Sequence, residues 1–260
     1  MTELTGHSAK KTYRIFADFY DAYAGGFSDD LEFYRNICQP DDTLLEIGCG
    51  TGRILQILLQ KNCQITGIDI SEEMLETARK KLHTFIKNKS LRVLNHDFAD
   101  YPLHGTYNKA LLTFYTFNYI LEKPVTFLTN IFDSLVNKSE IYLDLFYPHT
   151  LQRKDIDNQW IEKKLVIGSK PVVIRDKRTL HGNLEHRTQV FCSDQTETCI
   201  ETTRRYYNPV ELKGFLEKAG FRDIRFSVSY DTDWISECIS ENKLRTNYMV
   251  KAKKIDLYNG

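Results

Sequence analysis

This chain has no pair of cysteines at C-x-x-C spacing, no apolar run near the roughly 18 residues that span a bilayer, and no excess charge of either sign. Each absence excludes something. Cys38, Cys49, Cys63, Cys192, Cys199 and Cys238 are scattered, which points to free thiols in a reducing compartment, so the expected location is cytoplasmic. Lys+Arg 35 against Asp+Glu 35 leaves the chain formally neutral, without the broad positive field of a nucleic-acid binder. The start, MTELTGHSAKKTYR, has no apolar core behind its charges, so no secretory signal is expected. There is no His/Cys cluster at metal spacing and no G-x-S-x-G, so neither a bound metal nor a serine nucleophile is expected. Internal repeats and low-complexity linkers are also missing. Of the 260 residues 42% are hydrophobic, enough for one large domain or one domain with an insertion.

What is there centres on Leu44–Leu59, LLEIGCGTGRILQILL. A buried strand (Leu44, Leu45, Ile47) runs into the turn Gly48-Cys49-Gly50-Thr51-Gly52, then into an amphipathic helix carrying Ile54, Leu55, Ile57, Leu58 and Leu59. Glycine serves where the backbone turns sharply or must approach a ligand with no Cβ in the way. A second strand, Gln64–Ile70, ends on Asp69, about 20 residues past the glycines, the spacing at which a carboxylate reaches a ribose hydroxyl. The unit reads as a nucleoside-binding βαβ. It is not the dinucleotide fingerprint G-x-G-x-x-G, whose last glycine would fall on Arg53. Glu46 points a carboxylate towards the cleft, which would repel a pyrophosphate and attract an ammonium.

Along the chain, Thr12–Ala24 fits a helix with an aromatic face, broken by Gly25-Gly26. Asp29 and Asp30 suit the start of the next helix through their charge on its dipole. Ser71 is placed to cap a helix running to about Leu82. Leu91–Asn95, Ala110–Phe114 and Ile141–Phe146 read as strands, and Pro124 opens a helix towards Leu135. This rhythm gives a parallel sheet covered on both faces. From Trp160 to Tyr207 the period shortens to runs such as LVIG and HRTQVFC, an antiparallel insertion of three or four strands. Asn208-Pro209-Val210-Glu211 starts a helix that Gly220 ends. Closing strands lie near Phe221–Tyr230 and Asn247–Lys253.

The succession strand, E-x-G-x-G-x-G, helix, strand and terminal Asp resembles motif I and the following acidic strand of the class I S-adenosylmethionine-dependent methyltransferases. Asp97-Phe98 after the third strand, an aromatic-Asn stretch after the fourth and a C-terminal hairpin extend the resemblance over nearly the whole chain. The insertion ahead of RRYYNPVELKGFLEKAGF looks like the small-molecule branch, where it caps the acceptor site. The resemblance implies an α/β fold: a Rossmann-like, mostly parallel seven-stranded sheet with helices on both faces, plus the antiparallel β insertion over the cleft. The expected divisions are a helical lid over 1–38, the cofactor-binding core over 39–150, the insertion over 151–207, and the closing helix and hairpin over 208–260.

It also implies S-adenosyl-L-methionine as cofactor and in-line methyl transfer to nitrogen or oxygen of a small-molecule acceptor, driven by proximity and desolvation. Gly48, Cys49, Gly50 and Gly52 would lie against its methionine and ribose parts, and Asp69 would take the ribose hydroxyls. Ile70 and Met74 would flank the adenine, with Asp97 and Phe98 at its amino group. Glu46 would act on the ammonium, and Phe114 and Tyr115 would line the methionine end. On the acceptor side, Tyr20, Asn118 and His149 are the catalytic candidates, and Tyr23, Tyr34, Tyr119 and Tyr147 the substrate-binding ones. The aromatics of the first helices could equally be packing. The insertion's arginines could grip an acidic substrate or simply face solvent. No membrane partner is expected, nucleic acid is disfavoured by the lack of N-P-P-Y, and a homodimer is left open. Two other readings keep the cofactor: cyclisation of its own aminobutyrate arm with release of methylthioadenosine, and RNA or protein methylation.

Overall fold

Strands that read as near-continuous apolar runs are strands buried on both faces. The computed structural model describes residues 20–21, 27–148, 158–167, 170–193, 196–228, 230, 233–240, 244 and 246–255. In it β1 (Thr43–Ile47) pairs in parallel with β2 (Gln64–Asp69) on one side and β4 (Tyr107–Leu112) on the other. β3 (Leu91–Asn95) extends the sheet beyond β2, and β5 (Leu135–Phe146) beyond β4, again in parallel. β10 (Arg222–Ser227) and β11 (Asn247–Lys253) close it as an antiparallel pair, with β11 against β5. The order is β10-β11-β5-β4-β1-β2-β3.

Side chains alternate across the sheet, and each face has its own helices. Leu44, Ile65, Leu111, Tyr142 and Met249 pack under α1 (Asp29–Ile37) and α2 (Arg53–Leu58), through Phe33, Tyr34, Ile54, Leu55 and Leu58. Leu45, Ile47, Ile68, Leu112 and Leu143 pack under α5 (Pro124–Ser134) and α6 (Pro209–Lys218), through Phe127, Leu128, Ile131, Leu212 and Leu216. α3 (Glu72–Lys81) and the short α4 (His83–Lys87) link β2 to β3. Ser71 Oγ accepts from Met74 N at 3.3 Å and caps α3. Asn208 Oδ1 accepts from Glu211 N at 2.8 Å and caps α6. The Glu211 carboxylate is taken by Arg205. Among the described residues, no helix is long and apolar enough to cross a membrane.

Two local expectations are corrected. The fourth strand runs Tyr107–Leu112, because Phe114 and Tyr115 turn left-handed at φ 48° and 68° and cannot extend it. β10 stops at Ser227, and Tyr230 instead turns its hydroxyl to Asp144 Oδ2 at 2.5 Å. Asp30 lies in the first turn of α1 beside Asp29, as expected from their charge. It is buried and receives Arg53 Nη1 at 2.9 Å and Nη2 at 2.5 Å. The predicted helix over Thr12–Ala24 is described only at Tyr20 and Asp21, which are helical.

The insertion is a second sheet. β6 (Trp160–Ile167), β7 (Lys170–His181), β8 (Leu184–Ser193) and β9 (Thr196–Arg205) pair antiparallel in chain order. Asn118 joins it to the core. Its Nδ2 donates to Phe146 O at 3.0 Å and Arg205 O at 2.7 Å, and its Oδ1 accepts from Phe146 N at 2.8 Å. Asn118→Leu would leave those backbone groups buried without partners. The expected loss is about 2–4 kcal/mol of stability, read as a lower denaturant midpoint at unchanged slope.

Candidate functional site

In an open parallel sheet the ligand crevice lies beyond the carboxyl ends of the strands. Here a cavity of about 570 Å³ occupies that position, between the ends of β1, β2 and β4 and the inner face of β8 and β9. Its core wall includes Gly48, Gly50, Asp69, Ile70, Met74, Asp97 and Phe98, and Tyr20, Phe114, Tyr115 and Tyr119 supply aromatic surfaces.

The glycine loop is shaped by three different demands. Gly48 and Gly52 are left-handed, at φ 74° and 84°, and a Cβ there would also strike the side chains of Thr116 and Leu82. Gly50, at φ 53°, borders the cavity, and the nearest atom to an added Cβ is Tyr20 Cε1 at 3.9 Å. Asp69 fixes the loop. Gly50 N donates to its Oδ2 at 2.9 Å and Ser71 N to its Oδ1 at 2.9 Å. Burial raises the Asp69 pKa, against the lowering effect of these backbone donors.

Glu46 sits one layer behind the wall. Its Oε1 accepts from Thr113 Oγ1 at 2.9 Å, and its buried Oε2 has no hydrogen-bond partner among the described residues. Burial pushes its pKa up to about 8, in spite of the Thr113 hydrogen bond and nearby Arg53. Arg53, where a dinucleotide-binding loop would have glycine, ties the loop to α1 through Asp30 and lies 5.0 Å over the Phe114 ring. The left-handed pair Phe114–Tyr115 stacks at 5.2 Å between ring centroids.

A methyltransferase-domain model matches residues 44–138 of this chain, the span that carries the glycine loop, Asp69 and the Phe114–Tyr115 turn. These residues form a methyltransferase domain. The chain is 38% identical over 74 residues to a malonyl-[acyl-carrier protein] O-methyltransferase of Priestia megaterium, covering 28% of this chain and 26% of that one. The chain spans between a quarter and about half of the first curated relatives it matches, 26%, 52% and 29% of their lengths. An S-adenosylmethionine-dependent methyltransferase from Clostridium acetobutylicum superposes with a TM-score of 0.76 at 16% identity, over 94% of this chain and 99% of that one. The sugar N-methyltransferase KedS8 from Streptoalloteichus superposes at 0.71 and 14% identity, over 98% of each chain. At such identities the likeness is one of fold, and that fold is the class I methyltransferase fold.

Within this methyltransferase fold, several sequence candidates stand away from the cavity wall. Asn118 is buried, with its amide spent on backbone groups, so it is a structural joint rather than a catalytic group. Tyr34 is buried against Phe33 and its hydroxyl finds no partner among the described residues; it does not line the cavity. Tyr147 packs between Tyr206 and Tyr248. Cys49 and Gly52 are buried behind the loop, and the Cys49 thiol is raised well above its usual value by burial. Tyr23 and His149 lie outside the described residues.

Other wall residues include His96 and Gln189, which sequence reasoning missed, and Arg187 and Arg204, two of the insertion's arginines it had offered as a grip on an acidic substrate. His96 is buried between Phe98 and Tyr101, with Nε2 3.1 Å from Tyr101 O. Arg187, Gln189 and Arg204 reach the cavity from the insertion. Strand alternation could have grouped Glu185, Arg187, Gln189 and Phe191 on one face, but not told which face covers the cleft.

The carboxylates set a pH dependence. Folded Glu46, raised from 4.5 to about 8, keeps a proton that the unfolded chain has already released. Its contribution is therefore full below its unfolded value and lost as pH rises through about 8. Asp144, raised by burial from 3.8 to about 7, acts with the same sign. Thermal melts of the ligand-free protein should show stability falling between about pH 5 and about pH 8, and Glu46→Gln should flatten the upper part of that slope.

Proposed function

We propose that this protein transfers a methyl group from S-adenosyl-L-methionine to nitrogen or oxygen of a small molecule. The observation that carries the reading is Asp69, held by Gly50 N and Ser71 N at 2.9 Å each on the cavity wall. A carboxylate so oriented has lone pairs left for a vicinal diol, and the side-chain-free edge at Gly50 leaves room beside it. The rest of the site fits the same cofactor. Ile70 and Met74 offer apolar flanks at the adenine end, with Asp97 and Phe98 beside them. The orphaned Oε2 of Glu46, one layer behind the wall, suits an ammonium through a bridging water. When bound, the cofactor supplies a methyl group already activated on a cationic sulfur.

The chain's own residues then have to bind, align and exclude water. Tyr20, Phe114, Tyr115 and Tyr119 turn aromatic surfaces towards the cavity, and such faces favour a cation. The second sheet covers the acceptor end as a cap, which suits a small molecule better than a polymer. We read 39–150 and 208–260 as the core and 151–207 as this cap; of the lid expected over 1–38, α1 packs on the core sheet instead, and residues 1–19 and 22–26 lie outside the described residues. Tyr20 and Tyr119 are the acceptor-side residues we retain from the described set.

Mass spectrometry of the purified protein with S-adenosylmethionine, alone and with pooled amines, acids and phenols, tests the reading. S-adenosylhomocysteine formed only with acceptors is the expected result. Methylthioadenosine formed without them would replace methyl transfer by cyclisation. Asp69→Asn removes the charge but keeps an acceptor oxygen. Calorimetric titration should show S-adenosylhomocysteine affinity reduced about 10- to 100-fold, since a charge-assisted hydrogen bond contributes about 1.5–3 kcal/mol.

A further inference from the structure

The inner face of the cap carries more positive charge than its own carboxylates neutralise. Every second residue of β8 points the same way, and Glu185, Arg187 and Gln189 are all buried there. Asp176 on β7 stands opposite Gln189, and Arg178 opposite Arg187. Asp176 accepts Arg187 Nε at 2.8 Å and Nη2 at 2.7 Å, and also Arg178 Nη2 at 3.1 Å. Glu185 is shared by Arg204, by the Tyr206 hydroxyl and, at 3.9 Å, by Arg178. Burial would raise both carboxylates, but their arginine partners outweigh it and hold them below the usual range. Three guanidinium groups thus face two committed carboxylates. Glu201 also borders the cavity, but its side chain is exposed, where solvent screens it.

Gln189 adds a second, independent observation. It is 5% exposed and lines the cavity, and its Nε2 has no hydrogen-bond partner among the described residues. A buried amide donor without a partner costs about 1–3 kcal/mol. That cost is recovered if a bound molecule presents an oxygen to it. The surplus positive charge on the same face makes an anionic oxygen the best match.

We propose that the acceptor is a small carboxylic acid whose carboxylate is anchored on the cap, with Gln189 Nε2 donating to it beside the Arg178–Arg187–Asp176 cluster. The proposal rests on the methyltransferase reading of the cavity and names the substrate class of that same site. Gln189 is in this view a specificity-determining residue that touches the acceptor. The apolar wall residues Ile200 and Phe127 leave room for a hydrocarbon or aromatic body between the carboxylate and the methylated atom.

The test uses the full chain saturated with S-adenosylhomocysteine, and a panel of hydroxy-, amino- and aryl-carboxylic acids, each paired with its own primary amide. Calorimetry on this complex should find acids that bind at least about tenfold more tightly than their amides. Gln189→Met keeps the shape and removes the donor. It should weaken the binding acids about tenfold and erase much of the acid-over-amide preference. Its thermal midpoint should be unchanged or higher, because a buried unpaired donor has gone, and S-adenosylhomocysteine affinity should not move. For any acid that is turned over, the loss should fall on KM rather than kcat. The proposal is overturned if no acid outbinds its amide, or if Gln189→Met leaves acid binding intact. Failure of the unsubstituted protein to bind S-adenosylhomocysteine at all would instead strike the methyltransferase reading, and the proposal with it.

Discussion

The carboxylate of Asp69 does two jobs from one position. It ends β2, and by accepting the backbone N–H groups of Gly50 and Ser71 it fixes the glycine loop after β1 and the entry to α3 at once. Two loops from adjacent parallel strands are thereby held at one atom pair. Backbone donors can be satisfied this way only because Gly50 takes a positive φ that turns its N–H inward. Everything on the core side of the cavity is arranged around that anchor.

Arg53 holds the other end of the loop. Its guanidinium meets the buried Asp30 in a two-point pair, and its face lies over Phe114. It therefore connects α1, the start of α2 and the strained turn after β4. The paired left-handed residues Phe114 and Tyr115 are sterically costly for non-glycine side chains, and such turns persist where surrounding contacts over-determine them. Here those contacts are ring stacking, the cation over Phe114, and the packing of Tyr115 on Phe146.

The second sheet supplies the opposite wall and a different kind of chemistry. The core wall offers carboxylates and aromatic faces, whereas the cap offers arginines locked by carboxylates and one amide left over. Arg204 is sandwiched in turn by Phe146 at 4.7 Å and Tyr206 at 5.9 Å, which fixes its guanidinium against the core. A buried charge network of this kind contributes little net stability, so its value lies in orientation.

The sequence alone carried the succession of strands and helices, the two-sided burial of the parallel sheet, the caps at Ser71 and Asn208, and the pairing of the glycine loop with Asp69. These are legible because hydrophobic period, capping chemistry and glycine spacing are local. It also singled out Gly50 and Asp69, and both border the cavity. It could not distinguish aromatic residues that line a cavity from those that pack beneath it. Tyr119 and Tyr34 look alike in sequence, yet one borders the cavity and the other is buried under α1. Asn118 looked catalytic because it follows a strand end, but its amide is consumed by the backbone of Phe146 and Arg205, the latter 87 residues away. The inward face of the insertion was equally closed to sequence reasoning, since period-two alternation names two faces and only packing chooses between them. Local chemistry thus determined which elements form, and tertiary contact alone decided which polar groups were left with something still to bind.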